Sequence, residues 1–285
     1  MKSTIFFRDF TNLDCSYIDD KGIIHGSSQL LTCYMTGETT ESESVVLDFS
    51  KGKKQLKSII DDKEKGFDHK LVIFEDSLCG IQKLNKNYVK ITSPHLELEI
   101  PKNAIKQCKS FNCITDLVNS EMQRLYPKLK LECKIESNLK GTGTDGFVKY
   151  FNYVHGLKDS SSFGCQNIAH GHLSFVEVFG IYNGVKVSDT RTADDIAAFL
   201  NDSILINRKN IIEENNGYII IQYKSCNRGT MKAIIKQPHK IIVLDSETTI
   251  EFITDFISKR FFNQLKGKIL RISEGLQKGS EICII

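Results

Sequence analysis

Apolar and polar residues alternate through residues 6–14 (FFRDFTNLD) and again through residues 147–155 (FVKYFNYVH). A period of two is the signature of a strand with one face buried. Each run leads through a polar loop to a His-Gly step, His25-Gly26-Ser27 in one case and His170-Gly171-His172 in the other. A second strand-like run follows each step, SSQLLTCYMTG and LSFVEVFGIYNG. Residues 113–125 and 248–265 instead repeat their apolar positions at steps of three and four, as at Ile250, Ile253, Ile257 and Phe261, which predicts an amphipathic helix in each half. Each helix precedes a strand with a glutamate near a Gly-containing turn, Glu136 and Glu274. The chain thus reads as the same pattern written twice. It predicts an α+β fold of two tandem units, residues 1–140 and 141–285, joined in the Gly- and Thr-rich stretch 137–146 (SNLKGTGTDG).

The halves are unequal. Between its second strand and its helix the first carries residues 45–67 (VVLDFSKGKKQLKSIIDDKEKGF), which read as a strand running into a short helix. The second carries a longer insert, 189–237, with a helix in TADDIAAFLNDSI and a hairpin in GYIIIQYKSCNRGTMKAIIKQ turned at residues 227–229.

Composition narrows the function by exclusion. With 38 basic and 35 acidic residues interspersed, the net charge of +3 gives no bulk attraction for nucleic acid or membrane. The opening MKSTIFFRDF lacks the apolar core of a secretion signal, and no apolar run approaches membrane length. Nine cysteines without CxxC pairing point to free thiols in a reducing compartment, so a cytoplasmic location is expected.

Chemistry concentrates in residues 154–175 (VHGLKDSSSFGCQNIAHGHLSF). In a strand, His170 and His172 project to the same face, and His155 ends the neighbouring run. Three imidazoles with one open position are what a catalytic zinc needs, and Cys165 beside them is a candidate acid or base. Without the third histidine and the cysteine, an HGH pair would read as two strand residues facing solvent.

This constellation resembles the 6-pyruvoyl-tetrahydropterin synthase and 6-carboxy-tetrahydropterin synthase family, which has the tunnelling fold (T-fold). The resemblance implies antiparallel sheets with helices on one face. It implies Zn2+ held by His155, His170 and His172, Cys165 as base in a C-x4-HGH spacing, and Glu274 as anchor for the pterin ring. Thr249 and Glu251 open a helix as in the family. The second half lacks the family's Asp-His proton-transfer pair, whose counterpart reads Pro238-His239, and shows no recognisable Asp-Phe before its helix. The first half keeps Asp48-Phe49, Asp68-His69 and Glu136, but has Asp14, His25 and Ser27 at the metal positions. In the family, zinc and cysteine come from one subunit and the Asp-His pair from its neighbour. A fused pair therefore implies one site built from His155, His170, His172, Cys165 and Glu274 together with Asp68 and His69. The implied activity is a zinc lyase converting 7,8-dihydroneopterin triphosphate to 6-carboxy-5,6,7,8-tetrahydropterin. The pyruvoyl-forming reaction and a non-catalytic pterin- or purine-binding protein are the alternatives. The expected partner is the small-molecule pterin alone, and open sheet edges imply a homo-oligomer.

Overall fold

A computed structural model describes residues 2–39, 45–136 and 147–285, so the expected boundary at 137–146 lies outside the described residues. The first half runs β1 (Lys2–Ile18), β2 (Ile24–Glu38), α1 (Phe49–Ile60), β3 (Leu71–Phe74), β4 (Gly80–Lys83), β5 (Tyr88–Thr92), β6 (Leu96–Pro101), β7 (Ile105–Cys108), α2 (Asn112–Leu125) and β8 (Lys130–Glu136). The second runs β9 (Lys149–His155), β10 (His170–Tyr182), β11 (Val185–Ser188), α3 (Thr190–Leu200), β12 (Ser203–Asn207), β13 (Ile211–Asn215), β14 (Tyr218–Ser225) and β15 (Gly229–Lys236). It ends with β16 (Lys240–Leu244), α4 (Ile250–Arg260), α5 (Phe262–Leu265), β17 (Lys268–Glu274) and β18 (Lys278–Ile284).

Two sheets share one strand order. The first is β7-β3-β1-β2-β8, and the second is β16-β12-β9-β10-β17-β18 with β11 beside β10. The expected antiparallel sheets are corrected to mixed ones, because β1–β3, β3–β7, β9–β12 and β12–β16 pair in parallel. Each of those pairs is joined by a crossover through a helix or an inserted meander, which returns the chain to the same end of the sheet. Direct returns, through a short loop at β1–β2 and through the long loop 156–169 at β9–β10, give antiparallel pairs instead.

A third sheet was not legible in the pattern. Its order is β13-β14-β15-β6-β5-β4, all antiparallel, three strands from each half meeting where Glu99 faces Lys232 and Leu96 faces Ile235. The insert expected only in the second half therefore has a partner in the first. In β6, Leu96, Leu98 and Ile100 are buried while Glu97 and Glu99 are half-buried, the alternation of a one-sided strand.

Each layer closes over its own core. Leu13, Leu31 and Met35 pack on Leu56, Ile60, Val118 and Met122 of α1 and α2. Phe151, Val178 and Leu270 pack on Ile196, Leu200, Ile253 and Ile257 of α3 and α4. Ile18, Leu71, Ile91, Leu98, Ile204, Met231 and Ile235 join the third sheet to both others. Full burial of each such Leu or Ile is worth roughly 1.5–3 kcal/mol. Residues 45–47 form a bend rather than the expected strand, with Val46 and Leu47 buried at the entry to α1. The Asp48 carboxylate accepts Lys51 N–H at 2.8 Å to cap α1, and Asp189 caps α3 through Thr192 N–H at 3.0 Å. The helix-opening aspartate that the sequence did not reveal in the second half is therefore Asp189, followed by Thr190 instead of phenylalanine. The expected helix over 248–265 is interrupted at Phe261.

Candidate active site

The strand hairpin β9–β10 sets the three histidines. His155 pairs with His170 across the ladder, Tyr153 pairs with His172, and all three imidazoles are buried. Two of their outer nitrogens are fixed by carbonyl acceptors. His155 Nδ1 donates to Thr248 O at 2.8 Å, and His170 Nδ1 donates to Asn167 O at 2.8 Å. His172 Nδ1 lies 3.3 Å from Asp14 Oδ1, within ion-pair reach but off the line of a hydrogen bond. A carbonyl can only accept, so the His155 and His170 Nε2 atoms are lone pairs pointing inward. His155 and His172 Nε2 stand 3.1 Å apart, and His170 Nε2 is buried with no partner. Burial, reinforced by the neighbouring rings, holds His155 down to about 3 and His170 well below the ordinary histidine value. Neutral His155 and His170, with inward lone pairs and oriented outer nitrogens, fit a zinc-type cation together with His172, and the three donors lie within 4.8 Å of one another.

The structure brings the Asp68-His69 pair of the first half to this same centre, within one chain. His69 adopts a left-handed backbone (φ 55°) in the turn between α1 and β3, with its N–H donating to Asp14 O at 2.6 Å. Its Nδ1 meets Asp68 Oδ2 at 2.6 Å, and its Nε2 meets Cys165 Sγ at 3.5 Å. Its ring lies 5.0 Å from that of His170 and 6.1 Å from that of His172. Burial disfavours charge on His69, yet Asp68 and the Cys165 sulfur push it well above the ordinary value. Burial likewise opposes a thiolate, but His69 outweighs it and lowers Cys165. Both shifts favour an imidazolium–thiolate pair resting on Asp68.

Glu274 ends β17 beside the triad. Burial opposes its ionisation, but His172 and His155 hold its carboxyl below the usual range, helped by Lys278. Lys278 Nζ sits 2.7 Å from Glu274 Oε2. Sequence reasoning missed this lysine, which comes from β18, a strand with no counterpart in the first sheet. It also missed Asn167, whose side-chain N–H groups bond His69 O at 3.0 Å and Ala104 O at 3.1 Å.

The backbone pairing corrects one sequence assignment in each half. His25 pairs with Tyr17, as His170 pairs with His155, so Tyr17, His25 and Ser27 occupy the positions of the triad. Asp14 is displaced from that set and turns toward the second half's His172. The counterpart of Asp68-His69 is not Pro238-His239 but Asn201-Asp202. Asp202 has φ 54°, Asn152 N–H donates to Asn201 Oδ1 at 3.0 Å, and Asp202 N–H donates to Asn152 O at 2.9 Å. These repeat Asp14 N–H to Asp68 Oδ1 at 3.1 Å and His69 N–H to Asp14 O. His239 instead accepts Ile24 N–H at 3.2 Å. In this second constellation His25 is tied between Asp19 (3.1 Å) and Asp202 (2.9 Å), both its nitrogens spent.

No helix among the described residues is long and apolar enough to cross a membrane. No known protein-family pattern and no curated protein match the chain. Among solved structures it is similar to 6-pyruvoyltetrahydropterin synthase of Plasmodium vivax in two catalytic-residue mutants. Each is 18% identical over 48% of this chain and 91% of that one, with TM-scores of 0.36 and 0.35. It is also similar to the Plasmodium falciparum 6-pyruvoyl tetrahydropterin synthase, 15% identical over 47% of this chain and 99% of that one, with a TM-score of 0.32.

Proposed function

We propose that this protein is a zinc-dependent lyase that converts 7,8-dihydroneopterin triphosphate to 6-carboxy-5,6,7,8-tetrahydropterin for 7-deazapurine synthesis. We further infer two tandem T-fold units that assemble as a homo-oligomer. The reading is supported above all by one juxtaposition: two inward Nε2 lone pairs and the His172 ring from the second half beside a lowered thiol and an Asp-oriented imidazole shared by both halves. The tandem reading draws on the common strand order and on the repeated caps Asp48 and Asp189.

His155, His170 and His172 would hold the zinc, which when bound polarises the side-chain oxygens of the substrate. Cys165, its thiol lowered by His69, removes a proton from a hydroxyl-bearing side-chain carbon. His69 supplies or takes the second proton, and Asp68 keeps its Nε2 toward the sulfur. Glu274 accepts N–H donors from the aminopyrimidine edge once Lys278 swings aside, a bidentate contact that fixes the ring.

The test is incubation of the zinc-loaded protein with 7,8-dihydroneopterin triphosphate and identification of products. Carboxytetrahydropterin with acetaldehyde and triphosphate is expected, with Cys165→Ala and His69→Ala each slower by about 10²–10⁴-fold. A pyruvoyl product with triphosphate alone would move the assignment to the sister reaction. Stoichiometric zinc with no conversion would reduce the protein to a binder.

A further inference from the structure

We propose that the centre contains a second, rival metal position formed by His69 Nε2, Cys165 Sγ and His170 Nε2, which competes with the three-histidine position for His170 and disables the acid–base pair when filled. The donor atoms of this set lie within 4.8 Å of one another, as do those of the triad. The Sγ to Nε2 separation of 3.5 Å is already an edge of the required polyhedron. Zinc bonds of ~2.3 Å to sulfur and ~2.0–2.1 Å to nitrogen, at tetrahedral angles, span roughly 3.5 Å. His69 is oriented as metal-binding histidines are, its outer nitrogen on a carboxylate at 2.6 Å and its inner nitrogen presented.

Exclusivity follows from hydrogen bonding. His170 Nδ1 is committed to Asn167 O, so His170 has one lone pair to give, and that pair lacks a partner among the described residues. An ion at the second position takes it from the triad. It also displaces the proton between His69 and Cys165 into solvent and caps the sulfur that serves as base. No electrons move. The donor sets differ in softness. Three imidazoles suit zinc, whereas two imidazoles and a thiolate favour thiophilic ions, so Cd2+ selects the second position.

The experiment needs no substrate, so its outcome is independent of the reaction assigned above. The metal-free full-length protein is titrated with Co2+ and followed for a near-ultraviolet thiolate-to-cobalt charge-transfer band. The band is expected in the wild type and in His155→Gln, which cripples only the triad, and is lost in Cys165→Ser and His69→Gln. In parallel, Cys165 should lose its alkylation when Cd2+ is present, measured peptide by peptide, while the exposed Cys226 and Cys283 continue to react. The proposal is overturned if no band forms at any Co2+ level, if the band survives Cys165→Ser, or if Cd2+ leaves Cys165 alkylation unchanged.

Discussion

A carboxylate with 3% of its surface exposed stays ionised only where its surroundings replace the lost hydration, and Asp14 has such surroundings. Its Oδ1 accepts Ser28 Oγ–H at 2.5 Å and Asn12 Nδ2–H at 2.8 Å, and the same oxygen faces His172 Nδ1. Burial pushes the carboxyl up, but His172 and His69 outweigh it and bring it down to about 2. Its backbone meanwhile holds the dyad, donating to Asp68 and accepting from His69. One residue of the first half thus reaches both a histidine of the proposed metal triad and the proposed acid–base pair. Asp14→Asn keeps the shape and removes the charge facing His172. Loss of a carboxylate behind a ligating imidazole lowers metal affinity by about 10–100-fold, to be read by chelator competition. The same variant should alter acid unfolding. A depressed carboxyl contributes stability above its unfolded value, near 3.8, that is lost as pH falls toward 2. Asp14→Asn should lack that segment of the curve, and equal zinc affinity with an unchanged acid limb would refute the role. Nothing in the local pattern hints at this role, because the contact crosses between halves and no local period encodes such a pairing.

The loop 156–169 carries Cys165, and the third sheet holds that loop in place. Arg228, at the β14–β15 turn and 6% exposed, donates through one terminal nitrogen to Phe163 O (3.0 Å) and Gly164 O (3.1 Å). Through the other it donates to Asn103 O at 3.2 Å, and its guanidinium lies 4.6 Å from the centre of the Phe163 ring. Gly164 is then pressed against His69, where an added Cβ would stand 2.7 Å from the ring's Cγ. Arg228→Ala takes a donor from all three carbonyls, although Gly164 O still accepts Asn167 N–H and Asn103 O still accepts Lys70 Nζ. Phe163 O is left without one among the described residues, at about 1–3 kcal/mol where water cannot reach it, and the loop is freed to drift from His69. Without its imidazolium neighbour the Cys165 thiol moves upward, so the pH profile of its alkylation should shift to the alkaline side. Arg228→Lys keeps the charge but not the fork and should fall between the two. A folded Arg228→Ala protein with the wild-type profile would end this account. The β14–β15 hairpin, α2 and the histidine strands were legible from the sequence because their signals are local. The β6–β15 pairing was not, since it joins distant segments. The match of Asn201-Asp202 to Asp68-His69 was hidden for another reason: it lies in backbone conformation, φ near 55° in both, and not in side-chain type.

At the scale of the molecule, the two β-hairpins that open each half cross at equivalent glycines. Gly26 and Gly171 each follow the histidine of a His-Gly step, and they let the backbones touch. A Cβ on Gly26 would lie 2.1 Å from Tyr153 O and 2.5 Å from His172 O, and one on Gly171 would lie 2.7 Å from Gly26 Cα. The atoms in the way belong to backbone, so no rotamer change relieves the overlap. Around this crossing, Leu173 N–H donates to Ser28 Oγ at 3.0 Å, Gly26 N–H donates to Asn152 Oδ1 at 3.2 Å, and Ser16 Oγ donates to Ala169 O. The halves must therefore separate to admit a methyl, and Tyr153 and His172 are the residues they would drag. Gly26→Ala should cost at least the roughly 1–3 kcal/mol of an overpacked core, and more because backbone has to move. It should also weaken metal binding, since His172 shifts against His155. Gly80→Ala is the matched control: its Cβ would meet nothing nearer than Thr92 O at 4.0 Å. Thermal unfolding and chelator competition on both variants decide the matter. If Gly26→Ala melts with Gly80→Ala and keeps its zinc, the crossing bears no strain and the centre does not depend on how closely the halves approach.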